Sequence, residues 1–136
     1  MALNNPKPNQ NDANGYLVSG IPFVSSSIGA PANSGEPEVV RFPYVTQRFF
    51  VDCTGGTGVR VGYSRNGVKG VENENYFVVL AAAAPQEFRV RVGEVYLLSS
   101  DGSASTCAIS AEMCPAPGGQ IADGVLNNWS GSLGVG

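Results

Sequence analysis

Glu72 and Glu74, with Asn73 and Asn75 beside them and Asp52 a strand away, form the only cluster of carboxylates in this chain. Oxygen-rich loops of this kind can hold a hard cation such as Ca²⁺, but the spacing is not that of an EF-hand loop, and a solvated acidic loop is the commoner reading. Arg89 and Arg91 alternate with Glu87 on one strand face. Cross-strand ion pairs are the expected use of such a face, with a basic ligand-binding stripe as the alternative. In an assembly the same residues become interface pairs, because arginine is enriched in interfaces. The three cysteines, Cys53, Cys107 and Cys114, are odd in number and show no CxxC spacing. They read as small buried hydrophobes with inert thiols, and a Cys107–Cys114 or Cys53–Cys107 bridge stays open. Asn128-Trp129-Ser130 matches a glycosylation sequon. The glycine-rich stretches 54–58 and 118–119 lack the lysine or the GxGxxG pattern of a phosphate loop.

Histidine is absent. That removes Ser-His and Cys-His nucleophile pairs, histidine-ligated metals and the commonest general base. With no convincing pair of acids, no enzyme activity, catalytic residue, metal or cofactor is expected. Eight Lys and Arg against eleven Asp and Glu give a net charge of −3, without the basic footprint that nucleic acid requires. No apolar run approaches the ~20 residues of a membrane span, and residues 1–15 lack the basic and apolar regions of a signal peptide. Synthesis in a cytoplasm is expected.

The elements that must position these residues are strands. Residues 38–113 hold nearly all the β-branched and aromatic runs. Glu38–Phe42, Tyr44–Asp52, Val59–Ser64, Tyr76–Leu80, Glu87–Val92, Val95–Ser99 and Ala104–Met113 read as strands. Pro43 marks an edge or bulge. Neither face of Tyr44–Asp52 is cleanly polar, so both are expected to be covered, one of them by a partner. Asn66-Gly67 is the strongest short hairpin signal. Tyr16–Ser19 and Phe23–Ser27 are short strands broken by Gly20 and Pro22. Helix is the runner-up for Ala104–Met113, disfavoured by Ser, Thr and Cys. Eight to ten short strands at regular spacing predict an all-β fold: a single antiparallel β-sandwich, jelly-roll-like, with extended N- and C-terminal arms.

Three regions result: a 1–35 arm with short strands, a 36–113 core, and a 114–136 arm. The residues 1–35 and 114–136 carry only Lys7, Asp12 and Asp123 as charges. Only 14% of the chain is charged, against ~25% in soluble domains, which suits a surface built to be covered. A core this small gains only ~3–5 kcal/mol by itself, so oligomerisation is expected to support it. Apolar residues in the arms are the candidate interface: Tyr16, Ile21, Phe23, Val24, Val125, Leu126 and Trp129, the last as an anchor for a neighbour's pocket.

The segments RFPYVTQRFFVDC, GVRVGYSRNGVKG, NYFVVL and EFRVRVGEVYLLS resemble, in order and spacing, small β-sandwich structural proteins of virus particles. These are the decoration or cement proteins and minor capsid proteins of tailed phages and other icosahedral viruses, and the resemblance covers roughly residues 38–112. It implies a jelly-roll-like fold, no catalysis, a place on the capsid surface, and a homo-oligomer, a trimer being favoured. The major capsid protein or neighbouring virion subunits would be the partners, without nucleic acid or membrane. A carbohydrate-binding or adhesin module at a penton or fibre is the alternative, with Tyr44, Tyr63, Tyr76 or Tyr96 stacking on sugars.

Overall fold

The alternation of inward apolar and outward polar residues organises the described residues into eight strands, with one short helix between them. A computed structural model describes residues 20–71 and 74–117, with the side chains of 115–117 outside the description. The strands are β1 (Ile21–Ala30), β2 (Glu38–Arg41), β3 (Tyr44–Gly55), β4 (Gly58–Gly62), β5 (Phe77–Leu80), β6 (Gln86–Phe88), β7 (Glu94–Ser99) and β8 (Ser105–Pro117). The helix α1 is Arg65–Lys69. They form two antiparallel four-stranded sheets, a front sheet ordered β1-β8-β3-β6 and a back sheet ordered β2-β7-β4-β5. The pairs β1 with β8, β2 with β7, β3 with β6 and β4 with β5 nest inside one another. A long hairpin rolled across two sheets has this topology, which is the jelly roll.

The core lies between the sheets. Phe49, Val51 and Cys53 of β3 meet Cys107, Ile109, Ala111 and Met113 of β8, and Val59, Val61, Val79, Val95 and Leu97 face them from the back sheet. The inward set expected on the last strand, Cys107 to Met113, is the one observed. Five phenylalanine rings cross this layer in sequence. Phe23 packs edge-on against Phe42 at 5.1 Å, Phe42 lies 6.0 Å from Phe49, Phe49 stacks on Phe88 at 4.9 Å, and Phe77 meets Phe88 edge-on at 5.7 Å.

Three local readings are corrected. Asn66-Gly67 makes no hairpin turn but lies inside α1. Ser64 caps the helix by accepting from the Gly67 N–H at 3.0 Å, and Gly70 closes it in the left-handed conformation. These caps outweigh the local turn preference, and burial of Val68 against Tyr96 and Leu98 on the outer face of the back sheet adds to them. Gly62 permits the approach, since a Cβ there would stand 2.9 Å from that of Val68. Second, Pro22 does not break the first strand: β1 runs unbroken from Ile21 to Ala30. It is an edge strand, where a missing N–H is tolerated. Third, residues 89–92 leave regular strand geometry. Thr46 of β3 lies opposite them and donates its N–H to the Val92 carbonyl at 3.0 Å, at the level where the register of β3 against β8 shifts between Thr46 and Arg48. The buried Thr46 hydroxyl bridges the gap, donating to the Val90 carbonyl at 2.7 Å and accepting from the Val92 N–H at 3.0 Å.

Candidate functional site

Pairing places the two chain ends together. Ile21 at the start of β1 lies opposite Met113 of β8, and Pro117 at the end of β8 lies opposite Tyr44. Residues 1–19 and 118–136 therefore continue from adjacent strands at one end of the front sheet. Of the interface residues expected from sequence, Tyr16, Val125, Leu126 and Trp129 lie outside the described residues. Ile21 is 37% exposed and Val24 is 74% exposed, the most open large hydrophobic described. Phe23 is half-buried and is the first ring of the core chain, so its side chain serves the sandwich itself.

Val24 stands at the rim of a shallow groove on the outer face of the front sheet, about 390 Å³ in volume. The small residues Ala108 and Ser110 on the central strand β8 make its floor, between Val24 on β1 and Phe50 on β3, with Pro85 and Asp52 at its border. Beside it lies a charged cluster. Arg48 donates to both carboxylate oxygens of Glu112 (Nε to Oε2 2.9 Å, Nη2 to Oε1 2.7 Å) and reaches Glu87 at 3.3 Å. Arg89, just past the end of β6, closes on Glu87 at 2.9 Å. Hydrogen bonds from Arg48 hold the Glu112 carboxyl below its ordinary range. The cross-strand pairing expected for Glu87 is thus made with Arg48. Its solvent exposure keeps its contribution to stability small.

The four outer strands differ sharply. β2 carries exposed Glu38 and Arg41. β1 contains Pro22 and a register shift between Ser25 and Ile28, where Ser27 takes φ 59°. β6 is three residues long and carries Glu87. Each of these is a known way to blunt a sheet edge. β5, Phe77-Val78-Val79-Leu80, has no charge and no proline. Phe77 is 52%, Val78 36% and Leu80 57% exposed. Sequence marked Tyr76–Leu80 as an apolar strand but could not show that it ends a sheet, because that depends on its pairing with β4 alone.

At the opposite end of the sandwich from Pro117, Asp101 ties two loops together. It accepts from the Thr57 hydroxyl at 2.5 Å, from the Ser103 N–H at 2.9 Å and from the Ser99 hydroxyl at 3.3 Å, and Ser99 meets Ser105 at 3.0 Å. The Thr57 hydroxyl is the main cause of a carboxyl held below its usual range. These groups satisfy one another. Asp52 sits on the front sheet and Glu74 is exposed, while Glu72 and Asn73 fall outside the described residues. Among the described residues no group of three or more His, Cys, Asp or Glu could hold a metal ion. All three cysteines are free and buried. Cys53 and Cys107 face each other across β3 and β8. Burial raises both thiols, Cys107 to about 12.

Of the tyrosines offered for sugar stacking, Tyr76 and Tyr96 pack in one cluster with Val68 and Leu98. Tyr96 is buried with its hydroxyl on Glu94 at 2.7 Å, Tyr76 lies under the Arg60 guanidinium at 4.4 Å, Tyr63 is half-buried against the core, and Tyr44 is 37% exposed.

Fold and surfaces together define an antiparallel jelly-roll sandwich with, among the described residues, one unprotected apolar edge, and with the start of β1 and the end of β8 at one end of the front sheet. Comparison with protein-family models, curated proteins and solved structures returns no match.

Proposed function

We propose that this protein is a virion structural subunit that decorates or cements an icosahedral capsid, holding its neighbours through its arms and sheet edges. One observation carries the reading: the adjacent exit of residues 1–19 and 118–136 from β1 and β8. Two low-charge segments leaving together give one side of a compact body the means to reach across neighbouring subunits. The jelly roll supports it as a fold that serves viral capsids, though it also serves lectins and cupins and defines no function by itself. Strand addition and apolar anchors would supply each contact, and repetition over a particle would supply avidity.

Because β1 buries Ala30 and packs Phe23 and Ile28 on the core, a deletion that tests the N-terminal arm must stop at residue 19. Particles assembled with a chain lacking residues 1–19 are expected to lose this subunit, while its circular dichroism and thermal unfolding stay those of the full chain. Wild-type occupancy of such particles, seen by electron microscopy, overturns the role of the arm.

A further inference from the structure

The β5 edge faces outward in its backbone as well as its side chains. In an antiparallel ladder, bonded and non-bonded residue pairs alternate. Ala81 N–H donates to the Thr57 carbonyl at 3.1 Å, so in this register the odd-numbered residues of β5 are the ones bonded to β4. Ser100 N–H donates to the Gly58 carbonyl at 3.1 Å, which turns the even-numbered residues of β4 toward β7 and agrees with that phase. The N–H and C=O of Val78 and the N–H of Leu80 therefore point away from β4. The Leu80 carbonyl already accepts from the Ala83 N–H at 3.1 Å. No strand lies beyond β5 among the described residues.

We infer that β5 pairs antiparallel with β5 of a second copy across a two-fold axis, joining two back sheets into one of eight strands.

The absence of charge is the first argument. A two-fold contact brings residues near the axis against their own kind, and like charges directly opposite destabilise a ladder. Phe77-Val78-Val79-Leu80 has no charge to oppose, whereas β2 carries Glu38 and Arg41 and β6 carries Glu87. The main chain supplies the second argument, because it selects a register. With Val78 opposite Val78 of the second copy, each N–H donates to the other's carbonyl, and the Leu80 N–H is aimed at Tyr76 of the second copy. Placing Val78 opposite Leu80 instead would call on the Leu80 carbonyl, which Ala83 already engages. The side chains agree with the first register. Val79 is buried in the core and Phe77 meets Phe88, so both face inward, and alternation puts Val78 and Leu80 on the outer face. Phe77 then lies across from Val79 of the second copy on the inner side, and Val78 from Val78 on the outer side.

The exposed parts of Phe77, Val78 and Leu80 come to roughly 600 Å² over two chains, in the class of weak and transient contacts. Such a pair parts on dilution, and an array that holds many copies close together would strengthen it by avidity. The pairing makes a dimer, not the trimer that the resemblance implies. It does not depend on capsid attachment, and its test uses the isolated full chain.

In sedimentation, the average mass of the wild type is expected to rise from that of one chain toward that of two as concentration goes from the micromolar to the millimolar range. Val78→Lys sets two ammonium groups face to face, and should stay a single chain throughout with unchanged circular dichroism. Val78→Cys should link two copies under mild oxidation, since Cα atoms of directly opposite bonded residues stand about 5.5 Å apart, within disulfide reach. Val24→Cys, 74% exposed on the other sheet, is the control and should link at least tenfold more slowly. Exchange of the Val78 and Leu80 amides should slow several-fold between the dilute and the concentrated wild type. A wild type that remains one chain at every concentration, a Val78→Lys chain that associates as the wild type does, or linking of Val78→Cys no faster than that of Val24→Cys overturns the inference. Growth past two chains that Val78→Lys abolishes overturns the two-fold in favour of a head-to-tail contact.

Discussion

Replacing Phe49 with alanine should come close to unfolding this protein. Phe49 has no exposed surface and is the middle ring of the five that cross the core, 4.9 Å from Phe88 and 6.0 Å from Phe42. Truncating a buried phenylalanine costs about 3–5 kcal/mol through lost burial and the cavity left behind. Each ring pair adds ~0.5–1.5 kcal/mol beyond burial, which places Phe49→Ala at the upper end, about 4–5 kcal/mol. Whole-domain stability is only about 5–15 kcal/mol. For a sandwich of this size the melting temperature should fall by roughly 20–30 °C. Urea unfolding measures the loss as a shift in midpoint at constant slope. Phe77→Ala is the internal control. That ring ends the same chain on the open β5 edge, 52% exposed with one aromatic neighbour, and should cost about 1–2 kcal/mol. A loss below ~2 kcal/mol for Phe49→Ala, or one no larger than that of Phe77→Ala, refutes the picture of a core organised around this ring.

Thr46→Val keeps the shape but leaves the Val92 N–H without the hydroxyl it donates to. It should cost about 1–3 kcal/mol, seen in urea unfolding, with faster exchange of the Val92 amide. Glu36 accepts from Arg65 and Lys69, and those hydrogen bonds lower its carboxyl from 4.5 to about 2. A lowered folded-state value means that the stabilisation is complete above pH 4.5 and fades as pH falls toward 2. Glu36→Gln should therefore unfold more readily than wild type at neutral pH, and the gap in thermal midpoint should close across that window. The buried thiols, with Cys107 pushed to about 12, should resist a disulfide reagent at mildly alkaline pH in the folded protein and react in urea, as a colorimetric thiol assay can follow.

The sequence carried the fold further than the site. Alternation along Ala104–Met113 identified the inward face of β8 because one side of that strand is buried and the other open. It failed at Asn66-Gly67, where Ser64 and Gly70, each just outside the dipeptide, decide the local structure. It also failed at Thr46, whose value comes from two carbonyls and an N–H more than forty residues away. Pairing order is the reason that β5 escaped notice. Nothing in FVVL distinguishes an edge strand from a central one until its neighbours are known. Val24 was legible as apolar, but its place over Ala108 and Ser110 depends on β1 lying beside β8.

The nested strand order also governs how the chain can fold as it is made. Gly58 pairs with Leu80 inside a short loop, whereas Ile21 must wait for Met113. Closing the longest loops is entropically dearest and makes such topologies slow, on the millisecond-to-second scale. β4 and β5 can meet while synthesis continues, but the front sheet cannot close until β8 has left the ribosome. Through most of synthesis β1 and β3 have no β8 between them, and their apolar faces stay open. Timing of release, as much as native stability, would then set how much of this protein reaches its folded form.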